Sequence, residues 1–164
     1  MAFTTTAYSA QFAYRLLDNL QTYLEASTET ALAEIDTDLD DFADYRTPTP
    51  IALNFPALFI STSGSVLSQA DDDSHILGQH EFYIDIEITG VDTYTLERTI
   101  LQYVMAVDRC IRTMDVTDLI SGVTSSIGYP VWEVTEHQFG IIRQGDTIYR
   151  KAARVVMVVQ LMER

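Results

Sequence analysis

The sequence predicts a single α+β domain, residues 1–164, in which amphipathic helices pack on one face of an antiparallel sheet of about four strands. Three observations favour this fold class: helical spacing of apolar residues in two segments, strand-like alternation in others, and a length of 164 residues. A chain of this length matches one domain and can bury a core of its own. The predicted element order is helix, strand, strand, helix, strand, strand.

The first helix is predicted from Thr6, where apolar residues up to Leu24 recur at three- and four-residue spacing. This spacing places them on one face of a helix. The pattern weakens at residues 27–28 and resumes from Leu32 to Phe42. We therefore expect a bent helix or a second helix, followed by a loop.

A strand and a long connection come next. Pro56–Thr62 is a short apolar run that begins after a proline, as a strand can. The segment from Ser63 to Gly78 is polar and includes Asp71, Asp72 and Asp73. Polar, glycine-containing and serine-containing stretches of this kind are typical of loops, so the sequence predicts a long acidic loop over about residues 63–78.

The remaining elements are predicted by periodicity. Phe82–Thr89 alternates apolar and polar residues, which predicts a strand with one apolar and one acidic face. A helical stripe runs from Leu96 to Met114, and a further helical turn is predicted within Val116–Val123. Val131–His137 and Thr147–Leu161 predict the third and fourth strands.

The last predicted strand is apolar on both faces. Val155, Met157 and Val159 share the face that helices would cover, whereas Val156 and Val158 point the other way. On that outer face they would remain in water unless a partner covered them. The sequence therefore predicts a self-assembly interface formed by the outer face and by the acidic loop of a neighbouring subunit, with the residues Val156, Val158, Tyr83, Asp71, Asp72 and Asp73.

The charge of the chain is strongly negative and unevenly distributed. The formal net charge is −14. Residues 1–97 contain 17 acidic and 2 basic side chains, whereas residues 98–164 contain 7 acidic and 8 basic side chains. This balance argues against non-specific DNA binding, which depends on Lys and Arg neutralising phosphates.

The sequence predicts neither a membrane span nor a disulfide. The longest nearly apolar run is Val155–Val159, far shorter than the roughly 20 residues that a spanning helix needs. Residues 1–6 lack the basic and apolar segments of a secretion signal, which favours a cytoplasmic product. Cys110 is the single cysteine and falls in a helical pattern, so we expect a core position for it.

Candidate chemical motifs are incomplete. Asp36–Asp40 has the alternating carboxylates that open a helix-loop-helix calcium site, but Asp41 replaces the required glycine and Thr47 the final glutamate. The Asp71–His75 run lacks a second histidine at a metal-ligand spacing. His80 falls on the inward face of its strand, as a core histidine would. With no phosphate-binding loop and no paired base and nucleophile, we expect no enzyme activity, cofactor or metal.

Several segments together resemble the neck and tail-terminator proteins of tailed bacteriophages. The resemblance covers nearly the whole chain and depends on element order and hydrophobic pattern. It is carried by Leu16–Leu24, Pro56–Ile60, His80–Ile86, Tyr103–Arg109 and Ala152–Val159. It implies a virion protein, assembled in the host cytoplasm, that forms a ring of six subunits. Such a ring caps the tail tube and joins it to the head connector, while DNA passes through without tight binding.

Three alternatives remain open from the sequence. A related neck component, such as a head-side adaptor or a stopper, would differ in subunit number. An acidic protein that mimics DNA would be supported by the charge of residues 1–97 alone. An enzyme is the third alternative, and the absence of a recognisable catalytic pair in the sequence argues against it.

Overall fold

The structure is a computed structural model, and it describes residues 5–45, 54–69, 76–121, 130–145 and 147–163. The described residues form the helices α1 (Thr5–Ile35), α2 (Thr93–Thr113) and the short α3 (Val116–Leu119). They also form the strands β1 (Ala57–Gln69), β2 (Ile76–Gly90), β3 (Val131–Phe139), β4 (Arg143–Gln144) and β5 (Tyr149–Glu163). The α+β class and the predicted order of the main elements are therefore confirmed.

The strands form one antiparallel sheet. Its order is β1-β2-β5-β3, and the short β4 pairs with β5. The two central strands, β2 and β5, pair over their full length, from Ile76 opposite Glu163 to Gly90 opposite Tyr149. Because β5 is bordered by strands on both sides, its residues are shielded from solvent along both edges.

The helices lie on one face of this sheet, which we call the inner face. The main apolar cluster joins α1 and α2 to the inward residues of the central strands, among them Phe82, Ile84 and Met157. On α2, Ile100 and Val107 are completely buried. Within the described residues, no helix is long and apolar enough to cross a membrane.

Helix α1 is continuous where the sequence predicted a bend or a second helix. The Thr28 hydroxyl donates to the Leu24 carbonyl at 2.9 Å, so the backbone of the same helix satisfies this polar side chain. The helix ends at Ile35, and Phe42 is buried from a non-helical segment. The prediction of helix beyond Ile35 is therefore wrong, because apolar spacing continued after the helical backbone had ended.

The long acidic loop predicted for residues 63–78 is also wrong in extent. β1 continues to Gln69 and β2 begins at Ile76, and the two pair as a long hairpin with a bulge between Thr62 and Gly64. Ser65, which lies within the predicted loop, is paired across the strands with His80, and their side chains are 2.6 Å apart. Asp71, Asp72 and Asp73 fall outside the described residues.

Candidate assembly surface

The face of the sheet opposite the helices carries a mixed set of residues, and we call it the outer sheet face. Side chains alternate between the two faces along each strand, so the strand register defines its members. They are Ala57, Phe59, Ser61, Gly64, Val66, Leu77, Gln79, Glu81, Tyr83, Asp85, Glu87, Thr89, Val131, Glu133, Glu136, Gln138, Arg143, Arg150, Ala152, Arg154, Val156, Val158 and Gln160.

A cluster of three side chains occupies the middle of the outer sheet face. Arg154 donates from Nε to Asp85 Oδ1 at 2.6 Å and from Nη2 to Asp85 Oδ2 at 3.0 Å. Its guanidinium also lies over the Tyr83 ring, 4.2 Å from the centroid. The hydrogen bond to Asp85 raises the pKa of Arg154.

The exposure predicted for Val156 and Val158 is wrong, because they are only 4% and 7% exposed. Val156 lies between Tyr83 on β2 and Glu136 on β3, and Val158 lies between Glu81 and Glu133. These longer neighbours cover the valines within one copy of the chain, as amphipathic stems do on other surfaces. Tyr83 and the two valines do share one face, but their participation in an interface stays a prediction.

Four further carboxylates lie on the outer sheet face: Glu81, Glu87, Glu133 and Glu136. Arg143 and Arg150 lie at the end of this face where β4 pairs with β5. The Ser63 hydroxyl donates to Glu81, and the Gln138 amide donates to Glu136 at 3.1 Å. None of the four forms an ion pair with a cationic side chain in the described part of the chain. Their negative charge is therefore presented to whatever approaches this face.

The solvent side of α2 has the opposite character. Six of its residues recur at three- and four-residue spacing and so lie on one helix face. We call this face the α2 stripe, and its residues are Tyr94, Arg98, Leu101, Met105, Arg109 and Arg112. All six are exposed, including Tyr94 at 70%, Met105 at 60% and Leu101 at 49%. The stripe thus combines three guanidinium groups with an apolar surface.

The arginines of the α2 stripe are weakly held within the molecule. Arg109 pairs with Glu34 at 2.5 Å, and both side chains are about half exposed. Arg112 pairs with Asp108 at 2.6 Å. Arg98 makes no hydrogen bond or ion pair with any described residue. This stripe was not predicted from the sequence. The available signal was that the arginines, Leu101 and Met105 recur at helical spacing between the core positions of the helix.

The candidate chemical residues occupy structural positions. His80 is 1% exposed and hydrogen bonded to Ser65, as predicted for a core histidine. Cys110 is buried, and burial raises the pKa of its thiol to about 11, which keeps it protonated and unreactive. Asp36 accepts hydrogen bonds from the Asp38 amide and from the Gln102 side chain. Among the described residues, no group of three or more His, Cys, Asp or Glu could hold a metal ion.

One small pocket lies beside the end of α1. It has a volume of about 370 Å³ and is lined by Glu25, Ala43, Asp44 and Tyr45. Burial raises the pKa of Tyr45, whose hydroxyl donates to Asp41 and is 2.6 Å from the Thr28 hydroxyl. The pocket is lined by acidic and phenolic groups. The contact of Tyr45 with Thr28 holds the segment that follows α1 against that helix.

Comparison with known proteins gave only distant structural similarity. No protein-family model matches the sequence, and no curated protein matches it. A chain from a solved virion of a native gene transfer agent particle is 13% identical, with a TM-score of 0.41, over 85% of this chain and 94% of that chain. A second solved chain is also 13% identical, with a TM-score of 0.41, over 85% of this chain and 95% of that chain. We therefore infer the function from the chain's own surfaces.

Proposed function

We propose that this chain is a structural protein of the virion neck in a tailed phage or phage-like particle. In this proposal it is a tail terminator: it forms a ring of six subunits that caps the tail tube and joins it to the head connector. DNA passes through the ring without tight binding. The chain would act by assembly and would have no catalytic role, and it would be located in the virion after assembly in the host cytoplasm.

The outer sheet face is the observation that carries this proposal. A sheet face that meets only water does not need side chains held in place by one another. On this face, however, Arg154 is held by two hydrogen bonds to Asp85 and lies over the Tyr83 ring. The fixed cluster lies among carboxylates that have no cationic partner within the described residues. Rigid, patterned surfaces of this kind suit a specific contact with another protein, since little side-chain entropy is lost on binding.

The charge of the chain is compatible with a DNA conduit. A ring that grips the passing duplex would need clustered Lys and Arg facing the channel, and phosphate contacts would then retain the DNA. The net charge of −14 instead produces a repulsive field. The element order α-β-β-α-β-β further supports the resemblance to tail-terminator proteins, which was based on that order.

The proposal is tested by assembly with and without tail tubes. Light scattering on the purified chain and negative-stain images should show closed rings, either alone or at the ends of tubes formed by the tube protein of the same genome. A different subunit number with binding to the head connector would favour an adaptor or stopper. A chain that stays monomeric and ignores tubes, but captures host nucleoid proteins, would be an acidic DNA mimic.

A further inference from the structure

The two surfaces described above lie on opposite sides of the molecule. Helix α2 packs its buried residues, such as Ile100 and Val107, towards the inner face of the sheet. The α2 stripe therefore faces away from the sheet, whereas the outer sheet face looks in the opposite direction. One surface has three arginines. The other has four carboxylates without cationic partners in the described part of the chain, together with the Arg154–Asp85 pair and with Arg143 and Arg150 at its β4 end.

We propose that the α2 stripe of one copy docks onto the outer sheet face of a second copy, so that the contact repeats head to tail. This inference rests on the proposed function as an assembling virion protein and names the two surfaces that would join its subunits. A contact between two different patches leaves one free patch of each kind on every dimer. Such contacts close into a ring when the rotation allows it.

Charge complementarity identifies the occupant of the stripe as a second copy. Three of the ten cationic residues of the chain are concentrated on this one helix face. A nucleic acid is excluded as a partner by the surrounding field, because a net charge of −14 repels phosphates. The outer sheet face instead offers Glu81, Glu87, Glu133 and Glu136 to the three guanidinium groups, and a fixed Tyr83 ring to the apolar residues.

The arginines can exchange their present partners without a large loss. Arg98 has no partner in the described residues, and the side chains of Arg109 and Arg112 are 54% and 63% exposed. Exposed ion pairs contribute little to stability because water screens them. Leu101 and Met105 would be buried in the same contact. An apolar centre surrounded by charged residues is the usual arrangement of a protein interface, with its apolar core and polar rim.

Two blocked variants test the proposal. The stripe-blocked variant carries Arg98→Gln and Leu101→Gln, which remove a charge and an apolar contact without creating a complement to lysine, and the sheet-blocked variant carries Glu133→Lys and Glu136→Lys. All four positions are exposed, and lysine stems can still cover Val156 and Val158. A control variant, Asp18→Lys with Glu29→Lys, makes the same charge change as the sheet-blocked variant on the exposed side of α1. Circular dichroism and urea unfolding establish that each variant is folded.

The expected results are specific to a head-to-tail contact. Under conditions where the wild type assembles, each blocked variant alone should lose the assembled species, and the control should retain it. An equimolar mixture of the two blocked variants should give one heterodimer, with twice the mass of the 18.5 kDa chain, that grows no further. Each variant retains the surface that the other has lost, so only one contact can form. Sedimentation velocity measures all of these species.

Other outcomes separate the failure of this inference from the failure of the proposed function. If both folded variants assemble like the wild type, subunits join through other surfaces, and the ring proposal stands without this contact. If only the stripe-blocked variant loses assembly, α2 pairs with itself or with another protein, and the head-to-tail contact is overturned. A wild type that stays monomeric both alone and with tail tubes overturns the inference and the proposed function together.

Discussion

On the outer sheet face, the Arg154 guanidinium of β5 contacts two side chains of the neighbouring strand β2. It forms two parallel hydrogen bonds with Asp85 and stacks on Tyr83. The planar fork of arginine allows both contacts at once, which a lysine ammonium cannot reproduce. These contacts orient the central side chains of the surface within one copy of the chain.

We predict a modest coupling energy between Arg154 and Asp85. Their side chains are 36% and 31% exposed, so solvent screens much of the attraction despite the paired geometry. A double-mutant cycle with Arg154→Met and Asp85→Asn should give about 0.5–1 kcal/mol, measured by urea unfolding at concentrations where the chain is monomeric. Arg154→Lys is the control that retains charge, and it should lose most of the coupling. A coupling of several kcal/mol would contradict the screened surface pair.

A second residue-scale prediction concerns Lys151, which is 5% exposed on the inner side of β5. Its ammonium donates to Glu97 Oε1 at 2.8 Å. Glu97→Gln removes the charge that compensates a buried cation, and it should lower the free energy of unfolding by about 1–3 kcal/mol. Glu29→Gln, at an exposed helix position with no partner in the described residues, should change it by less than about 0.5 kcal/mol. Equal effects of the two changes in thermal or urea unfolding would mean that the Lys151 pair is not stabilising.

At the scale of single residues, the sequence predicted which face of the sheet a side chain lies on better than it predicted how exposed that side chain is. The alternation along β5 correctly placed Val156 and Val158 on the face opposite Val155 and Met157. It could not show that Tyr83, Glu81, Glu133 and Glu136 would flank them, because cross-strand neighbours depend on strand order and register. Apolar residues on both faces of a strand therefore indicated a central strand, which is shielded on both edges.

Helix α2 is the element that connects the core to the candidate surface. Its inward residues pack on the sheet, and its outward residues form the α2 stripe. The helix begins after Asp92, whose carboxylate accepts the Thr95 amide at 2.7 Å and so caps the first turn. The hydrogen bonds from Thr95 lower the pKa of Asp92, so the cap stays ionised well below neutral pH.

The two faces of α2 should respond differently to truncation. Ile100 is completely buried, and Ile100→Ala should lower the free energy of unfolding by about 2–5 kcal/mol through lost burial and a cavity. Leu101, the next residue, is 49% exposed, and Leu101→Ala should cost less than about 0.5 kcal/mol while weakening assembly. Urea unfolding and sedimentation measure the two effects separately. Similar losses of stability at both positions would show that the helix faces are assigned wrongly.

The hairpin of β1 and β2 shows why the sequence could not supply every element. Gly64 and Ser65 favour a loop by composition, and no apolar alternation continues beyond Thr62. The strand nevertheless continues, since the bulge after Thr62 restores pairing and His80 provides a partner for Ser65. Pairing with a longer strand can thus extend an edge strand whose own residues have weak strand preference.

At the scale of the whole molecule, the charged residues are unevenly distributed both along the sequence and over the surface. All of the excess negative charge lies in residues 1–97, and the arginines of the α2 stripe begin at Arg98. Folding places the acidic residues of β2 and β3 on the outer sheet face and the arginines of α2 on the opposite side. Composition alone revealed the imbalance along the sequence, but only the fold shows that the four unpaired carboxylates and the arginines of the α2 stripe face in opposite directions.

The last prediction follows from the net charge. At about 150 mM salt, where screening extends over roughly 8 Å, the purified chain should form no saturable complex with random duplex DNA. The three arginines of the α2 stripe are too few to overcome a net charge of −14, because non-specific affinity comes from releasing counterions at many phosphate contacts. Fluorescence anisotropy of a labelled duplex measures binding directly. Arg98→Glu with Arg109→Glu is the matched variant, and it should give the same flat titration as the wild type. Saturable binding by the wild type that this variant abolishes would instead assign the α2 stripe to DNA, and the stripe could then no longer be reserved for a second copy of the chain.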